Sequence, residues 1–194
     1  PCASREPEAS STWTAAPSLG DSGSDLGYGS TRCMTTPEAT SDATPIYPPF
    51  LTAPENFGRR TVSAPLVRDS AGWLWDFPTV DAVLGSSKAK LFLLCHPHNP
   101  TGRVWNEDEL WQLALLAEKH DLVMCSDEIH NGLVLSPHSR HRLFATLGPE
   151  QAARTITLMA PSKTWNIPAL YCAFAIIPDP ALRRRYRHAM RGVV

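Results

Sequence analysis

Apolar residues are unevenly distributed along the chain, and their spacing predicts a series of strands after residue 44. Three short runs are almost continuously apolar: KLFLLCHP (90–97), DLVMCSDE (121–128) and RTITLMA (154–160). Such runs are typical of strands that are covered on both faces of a sheet. Further strands are predicted in RTVSAPLV (60–67), GWLWDF (72–77) and ALYCAFAII (169–177).

Helical patterns lie between these predicted strands. The clearest begins after Asn106, which can form a capping box with Glu109, and its leucines and alanines then recur at helical spacing. Other helices are predicted in PTVDAVLG (78–85) and DPALRRRYRHAM (179–190). Strands that alternate with helices favour an α/β fold with a largely parallel sheet.

The first 44 residues differ in composition from the rest of the chain. Ser, Thr, Ala, Pro and Gly dominate this segment, and its apolar residues show no periodicity. A segment of this kind buries too little apolar surface to offset the entropy lost on ordering. We expect residues 1–44 to be disordered or to lie outside the fold, and residues 45–194 to form one domain.

Charge and cysteine content limit the partners and the location that we expect. The formal net charge of −1 gives no electrostatic basis for binding nucleic acid or an anionic membrane. No apolar run is long enough to span a bilayer, and the first residues lack the order of a signal peptide. The five cysteines are widely spaced without a CxxC pair, which argues against a disulfide framework. We therefore expect the reducing environment of the cytoplasm.

Polar residues directly follow the three buried strands. Asn99 lies in HPHNPTG, Asp127 and His130 lie in SDEIH, and Ser162 and Lys163 lie in PSK. Ligands of parallel sheets bind at the carboxyl ends of the strands, so we expect these side chains to lie close together. Lys163 is one of only four lysines, and a partly apolar site would lower the pKa of its amine and make the neutral nucleophile accessible.

This set of side chains suits pyridoxal phosphate. Lys163 can form a carbon–nitrogen double bond with its aldehyde, and Asp127 can keep its pyridine nitrogen protonated. Asn99 can donate to the ring oxygen, and Ser162 can bind the phosphate. Tyr47, in PIYPPF, can stack on the ring.

The segments HNPTGRVW, SDEIH and APSKTWNIPAL, in this order and spacing, resemble the fold-type-I class I/II aminotransferase superfamily. They look most like its cystathionine β-lyase or cysteine-S-conjugate β-lyase branch, over residues 45–194. The resemblance implies part of the large domain of pyridoxal phosphate-dependent transferases, with a mostly parallel sheet behind a disordered N-terminal tail. It also implies that His130 belongs to the cofactor site, at a position that is commonly tyrosine in aminotransferases.

The activity that this resemblance implies is that of a C–S β-lyase dependent on pyridoxal phosphate. A small amino-acid substrate, either a cysteine conjugate or cystathionine, would give a thiol, pyruvate and ammonia, with Lys163 as the general base. Members of the family are considerably longer homodimers, whose phosphate loop and carboxylate-binding arginine have no equivalent here. We therefore expect a fragment that is nearly inactive as a monomer.

Other functions remain open at this point. The chain could be a class I/II aminotransferase or an inert remnant of the cofactor domain. A metal site is a further alternative, because Cys95, His96 and His98 cluster near Cys125 and His130, although their spacing matches no standard zinc pattern. Ordinary structural roles are also possible: a turn at Asn99, a helix cap at Ser162, a helix or turn cap at Asp127, a surface position at Lys163, and core packing at Tyr47 and His130.

Overall fold

The computed structural model describes residues 15–17, 40–70 and 72–191. The strands in this part of the chain are β1 (Ala15–Pro17), β2 (Thr40–Thr44), β3 (Thr61–Pro65), β4 (Val67–Asp69), β5 (Gly72–Leu74), β6 (Leu91–Cys95), β7 (Val123–Asp127), β8 (Thr155–Met159) and β9 (Cys172–Ile176). The α-helices are α1 (Pro49–Asn56), α2 (Phe77–Ser87), α3 (Glu107–Lys119), α4 (Pro149–Ala153) and α5 (Pro180–Ala189).

Seven of these strands form one sheet in the order β1-β9-β8-β7-β6-β2-β3. The strands from β8 to β3 run parallel, whereas β9 is antiparallel to both of its neighbours. Strands β4 and β5 form a separate two-stranded ribbon. The predicted α/β class with a largely parallel sheet is therefore confirmed.

Both faces of the sheet are covered, because alternate residues of each central strand enter different cores. In β6, Phe92 and Leu94 pack with residues of α2 and α3, whereas Leu91, Leu93 and Cys95 pack with residues of α1 and α5. All five residues are buried. This arrangement explains the continuous apolar run in the sequence, since neither side of the strand meets solvent.

Helix α3 begins and ends as its sequence predicts. The Asn106 side chain accepts a hydrogen bond from the Glu109 amide at 2.9 Å, and Glu109 accepts one from the Asn106 amide at 2.8 Å. Lys119 occupies the last turn, where its positive charge suits the helix dipole. α3 has 13 residues, and no helix in the described part of the chain is long and apolar enough to cross a bilayer.

The predicted start of the fold at residue 45 is wrong for two strands. Thr40–Thr44 pairs with β3 over its whole length and also with β6, and Ala15–Pro17 pairs with β9 at the sheet edge. These pairings hold segments that carry no apolar pattern of their own. Residues 1–14 and 18–39, the remainder of the predicted disordered tail, lie outside the described residues.

Strand β2 also places a carboxylate inside the sheet. Asp42 is completely buried, and neither of its oxygens has a hydrogen-bond partner in the structure. Ser63 lies opposite in β3 and slightly lowers the pKa of Asp42, but burial dominates and raises this pKa to about 6. Asp42 is therefore a destabilising feature of the sheet at neutral pH.

The segment around residues 168–177 differs from its prediction. A 3-10 helix (Pro168–Leu170) replaces the first part of the predicted strand, and β9 starts at Cys172. Cys172 is exposed, although its apolar neighbours in the sequence predict burial, whereas Cys95 and Cys125 are buried as predicted. Helices α1 and α4 are also absent from the sequence prediction.

Candidate active site

One cavity lies at the carboxyl ends of the parallel strands, on the face covered by α1 and α5. Its volume is about 150 Å³. Five of the six predicted site residues line it: Tyr47, Asn99, Asp127, His130 and Lys163. They come from four separate segments of the chain, which the parallel topology brings to the same edge of the sheet.

The loop after β6 supplies Asn99 and is held by hydrogen bonds on several sides. The Asn99 amide donates to the Cys95 sulfur at 3.3 Å, and the Asn99 carbonyl accepts from the Tyr47 amide at 3.1 Å. The Cys95 carbonyl accepts from the buried indole of Trp105 at 3.1 Å. The His96 amide donates to the Asp127 carbonyl at 2.9 Å. The two strand ends that carry Asn99 and Asp127 are therefore linked.

Asp127 ends β7 and is buried at the base of the cavity. Its pKa is raised to about 7, mainly by burial; the Ile129 amide lowers the pKa, the Glu128 charge adds to the increase, and the Lys163 charge lowers it. The Ile129 amide donates to one carboxylate oxygen at 3.2 Å. A buried carboxyl group with this pKa binds a ligand that carries a proton or positive charge favourably, because the pairing restores its ionisation.

His130 follows the end of β7 and is half-buried beside Lys163. Burial lowers the pKa of its imidazole, and the charge of Lys163 lowers it further, whereas a hydrogen bond with the Pro97 backbone raises it. A methyl group built on Gly132 would overlap the side chain of Thr164. The loop that carries His130 and the turn that carries Lys163 therefore touch at a position where only glycine fits.

Lys163 lies in the turn after β8 and is exposed, which contradicts the desolvated amine expected from the sequence. The preceding strand is buried, but the turn itself leaves the sheet edge and is held by backbone hydrogen bonds. The Trp165 amide donates to the Pro161 carbonyl at 2.9 Å, and the Ile167 amide donates to the Ser162 carbonyl at 3.0 Å. The amine thus lines the cavity from its solvent side.

Ser162 is the predicted site residue that does not line the cavity. Its side chain is buried and its hydroxyl has no hydrogen-bond partner in the structure. It lies in a turn rather than at the start of a helix, so it does not serve as a helix cap. An unpaired buried hydroxyl next to Lys163 is a free donor for an anionic group.

Three further residues line the cavity without having been predicted: Phe50, Cys95 and Ile129. Cys95 and Ile129 lie close in sequence to Asn99 and Asp127, which the motifs do predict. Their side chains form walls of the cavity beside these two residues. Burial raises the pKa of the Cys95 thiol, with a smaller effect of Asp127, so this cysteine is not a thiolate nucleophile. Phe50 comes from α1, a helix that the apolar pattern of the sequence does not predict.

The metal alternative finds no support in the geometry. Among residues 15–17, 40–70 and 72–191, no group of three or more His, Cys, Asp or Glu side chains could hold a metal ion. His98 binds the Thr101 hydroxyl at 2.9 Å and packs edge-on against Trp105. Burial lowers the pKa of His98 to about 4, so the ring is a neutral core histidine.

Comparison with known proteins identifies a similar cystathionine beta-lyase and similar solved structures, one of which contains a cofactor. Cystathionine beta-lyase PatB of Bacillus subtilis is 37% identical over 147 residues, which are 76% of this chain and 38% of PatB. The crystal structure of OvoB superposes with a TM-score of 0.86 at 40% identity, over 94% of this chain and 47% of OvoB. Cystalysin from Treponema denticola, whose structure contains pyridoxal 5'-phosphate, gives 0.84 at 31%, over 91% of this chain and 44% of cystalysin.

The match to a family model extends over most of the sequence. The chain spans about two fifths of the length of PatB, so the similarity concerns the part of that protein that this sequence covers. The model for aminotransferase class I and II matches residues 23–194, which include every strand after β1 and all of the residues that line the cavity. The chain therefore belongs to the aminotransferase class I and II family.

Proposed function

We propose that the chain binds pyridoxal phosphate and forms the cofactor-binding part of a C–S β-lyase. The observation that carries the proposal is that Lys163 and Asp127, an amine and a buried carboxyl group, line the same cavity. The similarity to PatB and cystalysin supports the same chemistry. Water and a cysteine conjugate would be converted into a thiol, pyruvate and ammonia as the bond between Cβ and sulfur breaks.

The residues present fit this cofactor. An apolar cavity of about 150 Å³ in another protein holds benzene, so the volume here suits a six-membered aromatic ring. The apolar side chains of Phe50 and Ile129 provide walls for such a ring, and Asp127 can pair with its nitrogen. The buried hydroxyl of Ser162, which has no partner in the protein, is available to the phosphate.

Each polar side chain has a distinct role in this proposal. Pyridoxal phosphate, when bound, supplies an electron sink that stabilises negative charge at Cα of an amino acid. Asp127 would hold a proton on the ring nitrogen, and Asn99 would donate its amide N–H to the ring oxygen. Lys163 would hold the cofactor through its Nζ and would be the base that takes the proton from Cα of the substrate. His130 contributes a neutral imidazole to the wall beside Lys163.

Replacement of Lys163 by alanine is expected to abolish covalent cofactor binding. The parent chain should develop a visible absorbance band when pyridoxal phosphate is added, because the aldehyde condenses with an amine in the cavity. Lys163→Ala should lack the band, and Lys119→Ala, which removes an exposed lysine paired with Asp81, should keep it. A band of equal intensity in Lys163→Ala would contradict the assignment of the amine.

The family also contains aminotransferases, so the reaction class needs its own measurement. A lyase releases pyruvate from an L-cysteine conjugate with no added 2-oxo acid, whereas an aminotransferase requires one as amino-group acceptor. Both activities would require Lys163. Consumption of a 2-oxo acid without thiol release would favour the aminotransferase.

We also propose that a second copy of the chain covers a group of exposed apolar residues, defined as Leu133, Leu135, Trp165, Leu170 and Tyr171. These side chains are 42% to 91% exposed, and they lie on the two segments that meet at Gly132 and Thr164. Large apolar side chains that are exposed together on neighbouring segments are typical of an interface.

Substituting Trp165 with serine should therefore shift the chain toward monomer in sedimentation velocity. Leu115→Ser, at a comparably exposed position on α3, should leave the distribution unchanged. Pyruvate release should follow the dimer fraction. Substantial turnover by a monomer would contradict the proposal.

A further inference from the structure

The two carboxylates at the end of β7 occupy opposite faces of the sheet. Asp127 lines the cavity, whereas Glu128 is completely buried outside it. The Ser126 hydroxyl and the Phe144 amide both donate to Oε1 of Glu128, at 2.8 and 3.1 Å. The proposed reaction makes no use of Glu128, yet its burial without a covering network would be costly.

The second oxygen of Glu128 faces a pair of histidines. Nε2 of His141 lies 3.0 Å from Oε2 of Glu128, within ion-pair distance but outside hydrogen-bond geometry. The His141 ring stacks on the His96 ring with 4.4 Å between centroids. Nε2 of His96 lies 3.1 Å from the Arg142 carbonyl, and because a carbonyl only accepts, His96 carries its proton on Nε2. Burial lowers the pKa of His96 to about 3, so this ring is neutral.

These contacts connect the segment 141–144 to both walls of the cavity. The segment binds β7 through Glu128 and binds the end of β6 through His96. The His96 amide in turn donates to the Asp127 carbonyl, and the loop that starts at His96 leads directly to Asn99. Displacement of segment 141–144 would therefore release Asn99 and Asp127 together.

We infer that Glu128 is a positioning residue that fixes Asn99 and Asp127 relative to each other through segment 141–144. Its carboxylate accepts hydrogen bonds from Ser126 and Phe144, neither of which lines the cavity. It acts instead through the hydrogen bond between the His96 amide and the Asp127 carbonyl. Its effect on ligand binding rests on the proposed function, whereas its effect on the loop does not.

The test compares two substitutions of Glu128. Glutamine keeps a carbonyl-type oxygen that can accept from Ser126 and Phe144, and its amide can donate to Nε2 of His141. Leucine has a similar size and offers no acceptor, so it leaves the Phe144 amide and the Ser126 hydroxyl unpaired. Leu113→Ala serves as control, because it creates a cavity in the core cluster that also contains Phe144 and lowers stability, but it keeps the hydrogen bonds from Ser126 and Phe144 to Glu128.

Amide hydrogen exchange of the cofactor-free proteins provides the readout that does not depend on a ligand. Glu128→Leu should accelerate exchange in peptides covering 95–99 relative to those covering α3, and Glu128→Gln should restore the parent ratio. Leu113→Ala should not accelerate 95–99 selectively. Equal exchange of 95–99 in the parent and in folded Glu128→Leu would overturn the inference. If Glu128→Leu does not fold, selective acceleration of 95–99 in Glu128→Gln would overturn the inference, because glutamine keeps an acceptor for Ser126 and Phe144.

Titration with pyridoxal phosphate separates this inference from the proposed function. Glu128→Leu should bind about 10-fold to 100-fold more weakly than the parent, the range known for outer partners of metal ligands. Glu128→Gln and Leu113→Ala should stay within about threefold. A parent that fails to bind would refute the proposed function, and the exchange result would still decide the role of Glu128. A parent that binds, with Glu128→Leu binding equally well, would refute the positioning role.

Discussion

Asp127→Asn is expected to stabilise the cofactor-free chain and, at the same time, to weaken its binding of pyridoxal phosphate. Burial raises the pKa of Asp127 from 3.8 to about 7. Below pH 3.8 this carboxyl group is protonated in both the folded and the unfolded chain, so its raised pKa does not change the free energy of unfolding. As the pH rises from 3.8 through 7, the group ionises more readily in the unfolded chain, and the free energy of unfolding falls progressively. The loss then levels off at about 4 kcal/mol, given 1.4 kcal/mol for each pH unit between the two pKa values.

Asparagine removes the charge and keeps an oxygen that can accept from the Ile129 amide. The gain in the free energy of unfolding, measured with urea, should therefore be larger at pH 8 than at pH 5. Affinity for pyridoxal phosphate should fall about tenfold or more, because a charged hydrogen bond to the ring nitrogen is lost. Asp121→Asn, at an exposed position with positive φ that asparagine tolerates, should change neither quantity. A variant that loses stability at pH 8 would contradict this reading of the site.

Asp42→Val is expected to raise the free energy of unfolding by about 3 kcal/mol above pH 7, where the buried carboxylate is ionised. Burial raises the pKa of Asp42 from 3.8 to about 6, and the neighbouring Ser63, which lowers this pKa, offsets only part of the effect. The penalty is absent below pH 3.8, grows between the two pKa values and is complete above pH 6. Valine also suits a strand whose neighbours are apolar.

Urea unfolding at pH 4 and pH 7.5 measures this effect within one pair of proteins. The advantage of Asp42→Val over the parent should be small at pH 4 and large at pH 7.5. Asp42→Asn should gain less than valine at pH 7.5, because its amide remains buried without a partner. An advantage that is the same at both pH values would show that packing, rather than charge, accounts for the gain.

Local signals decide which parts of the fold could be predicted from the sequence. Helix α3 carries both a capping box and apolar periodicity, and β6, β7 and β8 are nearly continuous apolar runs. Strand β2 carries neither signal, since TSDAT has a single apolar residue, and its pairing with β3 and β6 holds it in place. α1 contains Pro54 and starts at a double proline, which conceals its helical pattern.

The candidate site could be predicted where motifs follow strands and could not be predicted where exposure depends on tertiary structure. Asn99, Asp127 and Lys163 lie where parallel topology requires them, at adjacent strand ends. The exposure of Lys163 could not be read from its sequence, because it depends on how the turn leaves the sheet. The role of Glu128 depends on its contacts with segment 141–144, which are distant in sequence, although strand alternation alone places Asp127 and Glu128 on opposite faces.

The order of these two acids also constrains insertions and deletions. Deleting one residue within β7 would exchange the surroundings of Asp127 and Glu128, since each step along a strand reverses the face that a side chain occupies. The longer acid would then enter the cavity, and the shorter one would fall short of His141 and of the Phe144 amide. We therefore expect length variation at this end of the sheet to be tolerated in residues 136–140, which are largely exposed and can change without reversing either carboxylate.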